Sequence, residues 1–275
     1  MIMSRERKLQ ALLAACEESK DLYFNSLMYK RERVPIGVGL CFFAKYARTK
    51  ANVSYFIEKD IDSCKQFFYL TSQLILASSK EREGETFEVG TSFLGALLSD
   101  NLEVIKKFSM LETDELLKER NNPLRSRFHV HMIQLALRGD DEALLEKIGK
   151  ISKNGRRSDK EEYGSGSDFY SLLIKRDKDA LENLIQNKHA YIKSSEPLDE
   201  EFMSYLGALE TKLCWLRDIP VKINHPLIPM DLMPIRPLDQ YDDVYDFLKP
   251  EWVPPKQGML ADAARWIKDK VGIRK

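Results

Sequence analysis

The sequence has no excess charge of either sign: lysine plus arginine and aspartate plus glutamate both number 43 in 275 residues. No overall field draws such a chain to a polyanion, so general nucleic-acid binding is disfavoured. Cysteine is scarce. The four residues Cys16, Cys41, Cys64 and Cys214 form no C-x-x-C pair and have no histidine at zinc-ligand spacing, so they read as buried thiols of a reducing compartment. Long hydrophobic runs are missing too. The longest, Ile36 to Ala44, falls well short of the ~20 residues that span a bilayer as a helix. A cytoplasmic protein with no membrane span is the expectation. Strand signals are equally sparse, since the one Asn-Gly, Asn154-Gly155, lies in a charged stretch and not between alternating apolar runs.

Catalytic motifs are absent as well. No phosphate-cradling G-x-x-x-x-G-K occurs, and Gly37-Val38-Gly39 lacks the preceding strand and third glycine of a dinucleotide fingerprint. His129 and His131, two apart on a helix, point about 200° from each other and cannot share a metal. His189 and His225 have no serine or cysteine motif beside them and no H-E-x-x-H context. Carboxylate pairs such as Asp242-Asp243 and Glu200-Glu201 read as solvated faces. The residues name no catalytic, cofactor-binding or metal site, and the chain reads as a non-enzyme; catalysis would require groups that only the fold assembles.

What is present is a helix-forming mixture, 43% hydrophobic and 31% charged, and a chain of this length buries roughly 75% of its unfolded surface. Near the start, Leu9, Leu12, Leu13, Cys16 and Tyr23 recur close to a helical period. Leu13-Ala14-Ala15-Cys16 also resembles a lipoprotein cleavage box, but its apolar stretch is at the short limit for a signal, and an ordinary first helix is the preferred reading.

A short block then recurs four times, at Ile57-Glu58-Lys59-Asp60-Ile61-Asp62, Leu98-Ser99-Asp100-Asn101-Leu102-Glu103, Leu137-Arg138-Gly139-Asp140-Asp141-Glu142 and Ile174-Lys175-Arg176-Asp177-Lys178-Asp179. In each, the apolar residue ends a helix, a polar pair turns, Asp or Asn accepts the free N–H groups of the next helix, and the acid two places on suits the helix dipole. Copies spaced near 40 residues predict stacked antiparallel helical hairpins, α-solenoid-like. The alternative is four independent caps in an irregular helical array. Either reading is all-α.

Lys153 to Asp168 reads as an exposed, mobile link, and a helix is expected from Pro197 to about Arg217. Proline then breaks the chain at Pro220, Pro226, Pro229, Pro234, Pro237, Pro250, Pro254 and Pro255, so residues 218–257 should be an ordered strap, with Val221, Ile223, Leu227, Ile228, Leu232, Met233 and Ile235 packing across the helices. A final amphipathic helix is expected over Gly258 to Val271, within a C-terminal segment 258–275. Residues 1–275 are read as one helical domain, its hairpins in 1–217.

Several of these features together resemble the bacterial immunity protein 49 family. They are the Leu137-Arg138-Gly139-Asp140 turn within a Leu-Ala-Leu helix, its recurrence at Ile174 to Asp177, Trp215-Leu216-Arg217 with its Ile219-Pro220-Val221 exit, Pro237-Leu238-Asp239-Gln240-Tyr241, and Phe247-Leu248. The resemblance covers roughly residues 35 to 250. It implies a cytoplasmic protein that binds a cognate toxin or effector, such as a nuclease or another secreted toxin domain, and blocks it without catalysis, cofactor, nucleic-acid or membrane contact. The other function considered is a helical-repeat adaptor or scaffold holding a peptide in a concave groove. A toxin acting on nucleic acid has a basic active site, which carboxylates and tyrosines complement. Asp239, Tyr241, Asp242, Asp243, Tyr245 and Asp246 are the densest such group, with Glu200 and Glu201 a second. Equally open is that Tyr241 and Tyr245 pack inward on a short helix while the aspartates face water.

Overall fold

The computed structural model describes residues 4–29, 35–192, 201–249, 251–252 and 258, and these are helical with no strand among them. Helix α1 (Arg5–Tyr29) is followed by α2 (Ile36–Val53), which continues into a π-helical turn (Ser54–Glu58), and by α3 (Ile61–Ser78). Next come α4 (Thr91–Leu98), α5 (Leu102–Ser109), α6 (Asp114–Glu119), α7 (Ser126–Arg138) and α8 (Asp141–Asn154). The order ends with α9 (Arg157–Ser165), α10 (Phe169–Lys175), α11 (Lys178–Asn187), a 3-10 turn (His189–Tyr191) and α12 (Tyr205–Leu216). The expected first helix forms: Leu9 and Cys16 are buried, and Leu12, Leu13 and Tyr23 half-buried.

All four repeated blocks are helix joints. Asp60, Asn101, Asp140 and Asp177 each accept the backbone N–H three residues on, from Ser63, Val104, Ala143 and Ala180, at 3.0, 3.0, 3.1 and 3.1 Å. One of the donors orphaned at each helix start is thereby satisfied. The residue before each cap is left-handed, with φ of 59° at Lys59, 58° at Asp100, 70° at Gly139 and 57° at Arg176. Only Gly139 adopts this without steric cost. At the third and fourth joints the cap N–H also reaches back five residues, Asp140 to Leu135 O and Asp177 to Leu172 O, each at 3.1 Å, which closes the preceding helix in a Schellman motif. The joints link α2 to α3, α4 to α5, α7 to α8 and α10 to α11, and each pair packs on the next: α3 on α4 and α5, α5 on α7, α8 on α10.

Helix α12 lies within this array. Gly207 to Cys214 are buried without interruption, against α4, α7 and α11. Its Lys212 is wholly buried and forms an ion pair with Asp100 at 2.5 Å, while Lys65 of α3 pairs with the other oxygen of the same carboxylate at 2.8 Å. Two ammonium groups against one carboxylate leave an excess positive charge, and backbone carbonyls of the strap take it up. Lys212 Nζ donates to Leu232 O and Met233 O at 2.6 and 3.1 Å, and Lys65 Nζ to Arg236 O at 2.6 Å. The Arg236 N–H donates in turn to Asp100 Oδ2 at 3.2 Å. Burial draws the Lys212 pKa down to about 8, against the pull of Asp100 in the other direction.

The strap is ordered over its described part. Ile219, Val221, Ile223, Ile228, Leu232 and Met233 are buried, with Leu227 and Ile235 half-buried. Val221 and Ile223 point inward while the N–H groups of Lys222 and Asn224 donate to Glu182 and Gln186 of α11, at 2.7 and 2.8 Å. An i,i+4 pair of helical side chains thus does for this extended stretch what a neighbouring strand would do. Closeness elsewhere depends on glycine: a Cβ at Gly37 in α2 would come within 2.5 Å of Arg82 O and of Gly84 N.

Two expectations need correction. The link from Lys153 to Asp168 contains α9, whose residues are mostly exposed; Tyr163 anchors it to the core, it packs on α8, and Glu162 pairs with Lys188 at 2.8 Å. The helix expected from Pro197 is interrupted at Met203-Ser204, because Ser204 is the N-cap of α12, accepting from Gly207 N–H at 3.2 Å, while its own N–H donates to Leu227 O of the strap at 2.9 Å. The start of that helix and the final helix over 258–271 lie outside the described residues, Gly258 apart.

Replacing Asp100 by Ala leaves two buried ammonium groups without their carboxylate and should cost roughly 3–5 kcal/mol. Asp140→Ala, which removes only an exposed cap, should cost about 1 kcal/mol. Urea unfolding midpoints of the two variants check both values and their order.

Candidate functional site

The acidic strap segment is fixed by its tyrosines. Tyr241 packs on Tyr69 of α3 with ring centroids 4.9 Å apart, donates to Ser99 O at 2.6 Å and accepts the Leu238 N–H at 3.0 Å. Tyr245 stacks on Phe247 at 5.0 Å and meets Phe43 edge-on at 5.1 Å. Both tyrosines therefore turn inward, from a run without helical structure and not from a short helix; among the described residues the one helical turn nearby is the 3-10 turn Asp246–Leu248. Gln66 of α3 clamps the backbone of Asp242 twice, donating to its carbonyl at 2.8 Å and accepting its N–H at 3.1 Å.

The carboxylates divide accordingly. Asp239, Asp242 and Asp246 are exposed, and Asp246 pairs with Lys249 at 2.6 Å. Asp243 is half-buried and accepts the Tyr69 hydroxyl at 2.8 Å. Burial, reinforced by Asp243, pushes the Tyr69 pKa up to about 12, so it remains a donor. Between them Val244 is 63% exposed, an apolar side chain flanked by carboxylates. Glu201 belongs elsewhere: it pairs with Lys8 of α1 at 2.8 Å and touches none of the strap carboxylates. Glu200 lies outside the described residues.

Beside Asp243 opens a groove of about 950 Å³ between α3, residues 110–115 and the strap. Leu76, Met110, Leu111 and Leu248 supply its apolar wall, and Glu112, Asp114, Glu115 and Asp243 outnumber Lys80 and Lys107 around it. Met110 is 61% exposed. Sequence reasoning missed this groove, because Met110 to Glu115 and the strap are brought together only by packing on α3.

A second concave feature, a cavity of about 540 Å³, lies between α7, α9, the start of α10, the 3-10 turn and α12. At its floor His189 Nδ1 and Glu210 Oε2 are 2.6 Å apart and both side chains are nearly buried. Burial alone would lower the His189 pKa; the Glu210 carboxylate outweighs it and the net direction is upward. Burial raises Glu210 and Asp168 in turn, and Asp168 is occupied as the N-cap of α10, bonded to Ser171. His129 faces this cavity, whereas His131 is turned towards Lys147 and Arg120. Among the described residues no group of side chains is arranged to hold a metal ion, and no helix is long and apolar enough to cross a membrane. The four cysteines are unpaired.

The residues that carry the family resemblance are joints and clamps. Arg217 holds Asp141 through both carboxylate oxygens at 2.9 Å, Trp215 Nε1 donates to Val221 O at 3.1 Å, and Arg176 reaches Asp218 O at 2.9 Å. No family model, no curated protein and no solved structure matches this chain, so the resemblance stands on these sequence features.

The His189–Glu210 pair generates a checkable expectation. A histidine raised above its ordinary value stabilises the fold fully below about pH 6.5, and that contribution is lost as pH rises through the folded pKa. Titration of the His189 ring by NMR should give a value above that of a model imidazole, and Glu210→Gln should bring it below. An unshifted His189 in the wild-type chain would contradict the pairing as a charged one.

Proposed function

We propose that the protein acts by binding another protein, without catalysis, and that its partner is a cognate toxin or effector whose basic surface meets the acidic strap. The observation that carries this reading is the rigid display of Asp239, Asp242 and Asp246 around exposed Val244, beside a groove rimmed by further carboxylates. A partner-binding surface needs an apolar anchor with a polar rim, and charge complementarity speeds encounter and selects the partner. Preorganisation by Gln66, Tyr69 and Ser99 lowers the ordering cost of binding. The family resemblance supplies the toxin, and the cytoplasm is the compartment in which such a protein would meet it.

The adaptor reading receives less support. An adaptor needs an open inner face for its peptide, and here α12 and the strap pack against the helical pairs from within.

The test is co-expression with the protein encoded immediately upstream of its gene. Rescue of growth and a stable complex are expected. Changing Asp239 and Asp242 together to Lys, which leaves the Tyr69–Asp243 bond intact, should weaken the complex well beyond tenfold and flatten its salt dependence. Rescue that is absent with the wild-type chain would refute the immunity reading, and unchanged affinity of the double variant would remove the strap from the interface.

A further inference from the structure

The cavity between α7, α9, α10 and α12 contains polar atoms that the protein itself leaves unsatisfied. Tyr170 is 9% exposed and its hydroxyl makes no hydrogen bond among the described residues. Glu210 is 5% exposed, and while Oε2 engages His189, no described residue donates to Oε1. Both side chains line the same space. Both atoms open onto the cavity, so their remaining hydrogen-bonding capacity is met by whatever fills it. Tyr163, on the facing α9, also has a hydroxyl without a described partner.

The charge of the lining selects the chemistry. Glu88, Asp159, Glu162, Asp168 and Glu210 face the cavity with Arg125, Arg156 and His189; His189 engages Glu210 and Lys188 engages Glu162, so the carboxylates still outnumber the cationic groups. Aromatic rings from Tyr163, Phe169 and Tyr170 stand around them, and ring faces attract cations. The remaining wall, including Val130, Ile133 and Leu209, is apolar. A volume of about 540 Å³ is in the range of small-molecule sites, which occur between the helices of bundles.

We propose that this cavity is a binding site for a small organic cation, an amine, amidine or guanidine on an apolar body. Its N–H groups donate to Glu210 Oε1 and to the Tyr170 oxygen, its positive charge faces the carboxylate-rich floor, and its body lies along Ile133 and Leu209. The site is on elements other than the strap and does not depend on the function proposed above.

Calorimetric titration of the full chain at neutral pH with benzamidine, neutral benzamide and anionic benzoate tests this. Benzamidine should bind with unit stoichiometry, benzamide at least tenfold more weakly, and benzoate not measurably. Tyr170→Phe, which removes one oxygen and preserves packing, should weaken benzamidine about threefold to tenfold. Glu210→Gln should erase the preference for benzamidine over benzamide; should that variant fail to fold, the Tyr170→Phe result decides. Asp239→Lys should leave binding unchanged. Failure of all three compounds to bind, benzoate binding as tightly as benzamidine, or full affinity in Tyr170→Phe would overturn the assignment.

Discussion

Asp100 stands where three parts of the chain meet. It occupies the left-handed position of the second joint, ahead of the cap Asn101, and from there its carboxylate reaches Lys65 on α3, Lys212 on α12 and the backbone of the strap at Arg236. A buried charge without partners would unfold this region, so the strap carbonyls and both lysines have to arrive in one geometry. Hydrophobic burial supplies most of the stability, as the Phe87, Phe93 and Phe108 cluster shows with its edge-to-face contacts at 5.2, 5.9 and 6.1 Å. The ion cluster adds direction. It admits only an arrangement in which α12 and the strap close the helical pairs.

That closure decides which surfaces stay accessible. With α12 enclosed, the outer edge of the strap, the groove beside Asp243 and the mouth of the cavity over Glu210 are among the features left exposed. The strap also visits the joints themselves, Arg236 at the second through Asp100, Tyr241 there through Ser99 and Asp218 at the fourth through Arg176, while Arg217 at the end of α12 reaches the third through Asp141. A surface carried by such a strap is held by the same contacts that hold the fold, which is the condition for rigid recognition.

Much of the architecture could be read from residue order. The four caps were legible because capping is local: a side chain, a turn and a dipole within a few residues. The helical period of α1 and the apolar residues of the strap were legible for the same reason, since they depend on neighbours in the chain. The left-handed residues at Lys59, Asp100 and Arg176 were not, because none is a glycine and the joint around each tolerates a strained φ that local preference disfavours. Helix α9 was misread as a loop, because its contacts, Tyr163 with the core, its packing on α8 and Glu162 with Lys188, are made with groups beyond the segment.

The candidate sites divide along the same line. The run from Asp239 to Asp246 is conspicuous in the sequence, yet whether its tyrosines face out or in depends on Tyr69, Phe43 and Ser99, between 142 and 202 positions away on α2, α3 and the second joint. His189 and Glu210 are 21 residues apart and carry no motif, and the cavity they floor is drawn from five helical elements. By itself the sequence determined the helices, their joints and the acidity of the strap, all governed by short-range capping, periodicity and composition. Only the tertiary structure decided which carboxylates are buried and paired and which are free, because desolvation and pairing depend on groups that are close in space and distant in the chain.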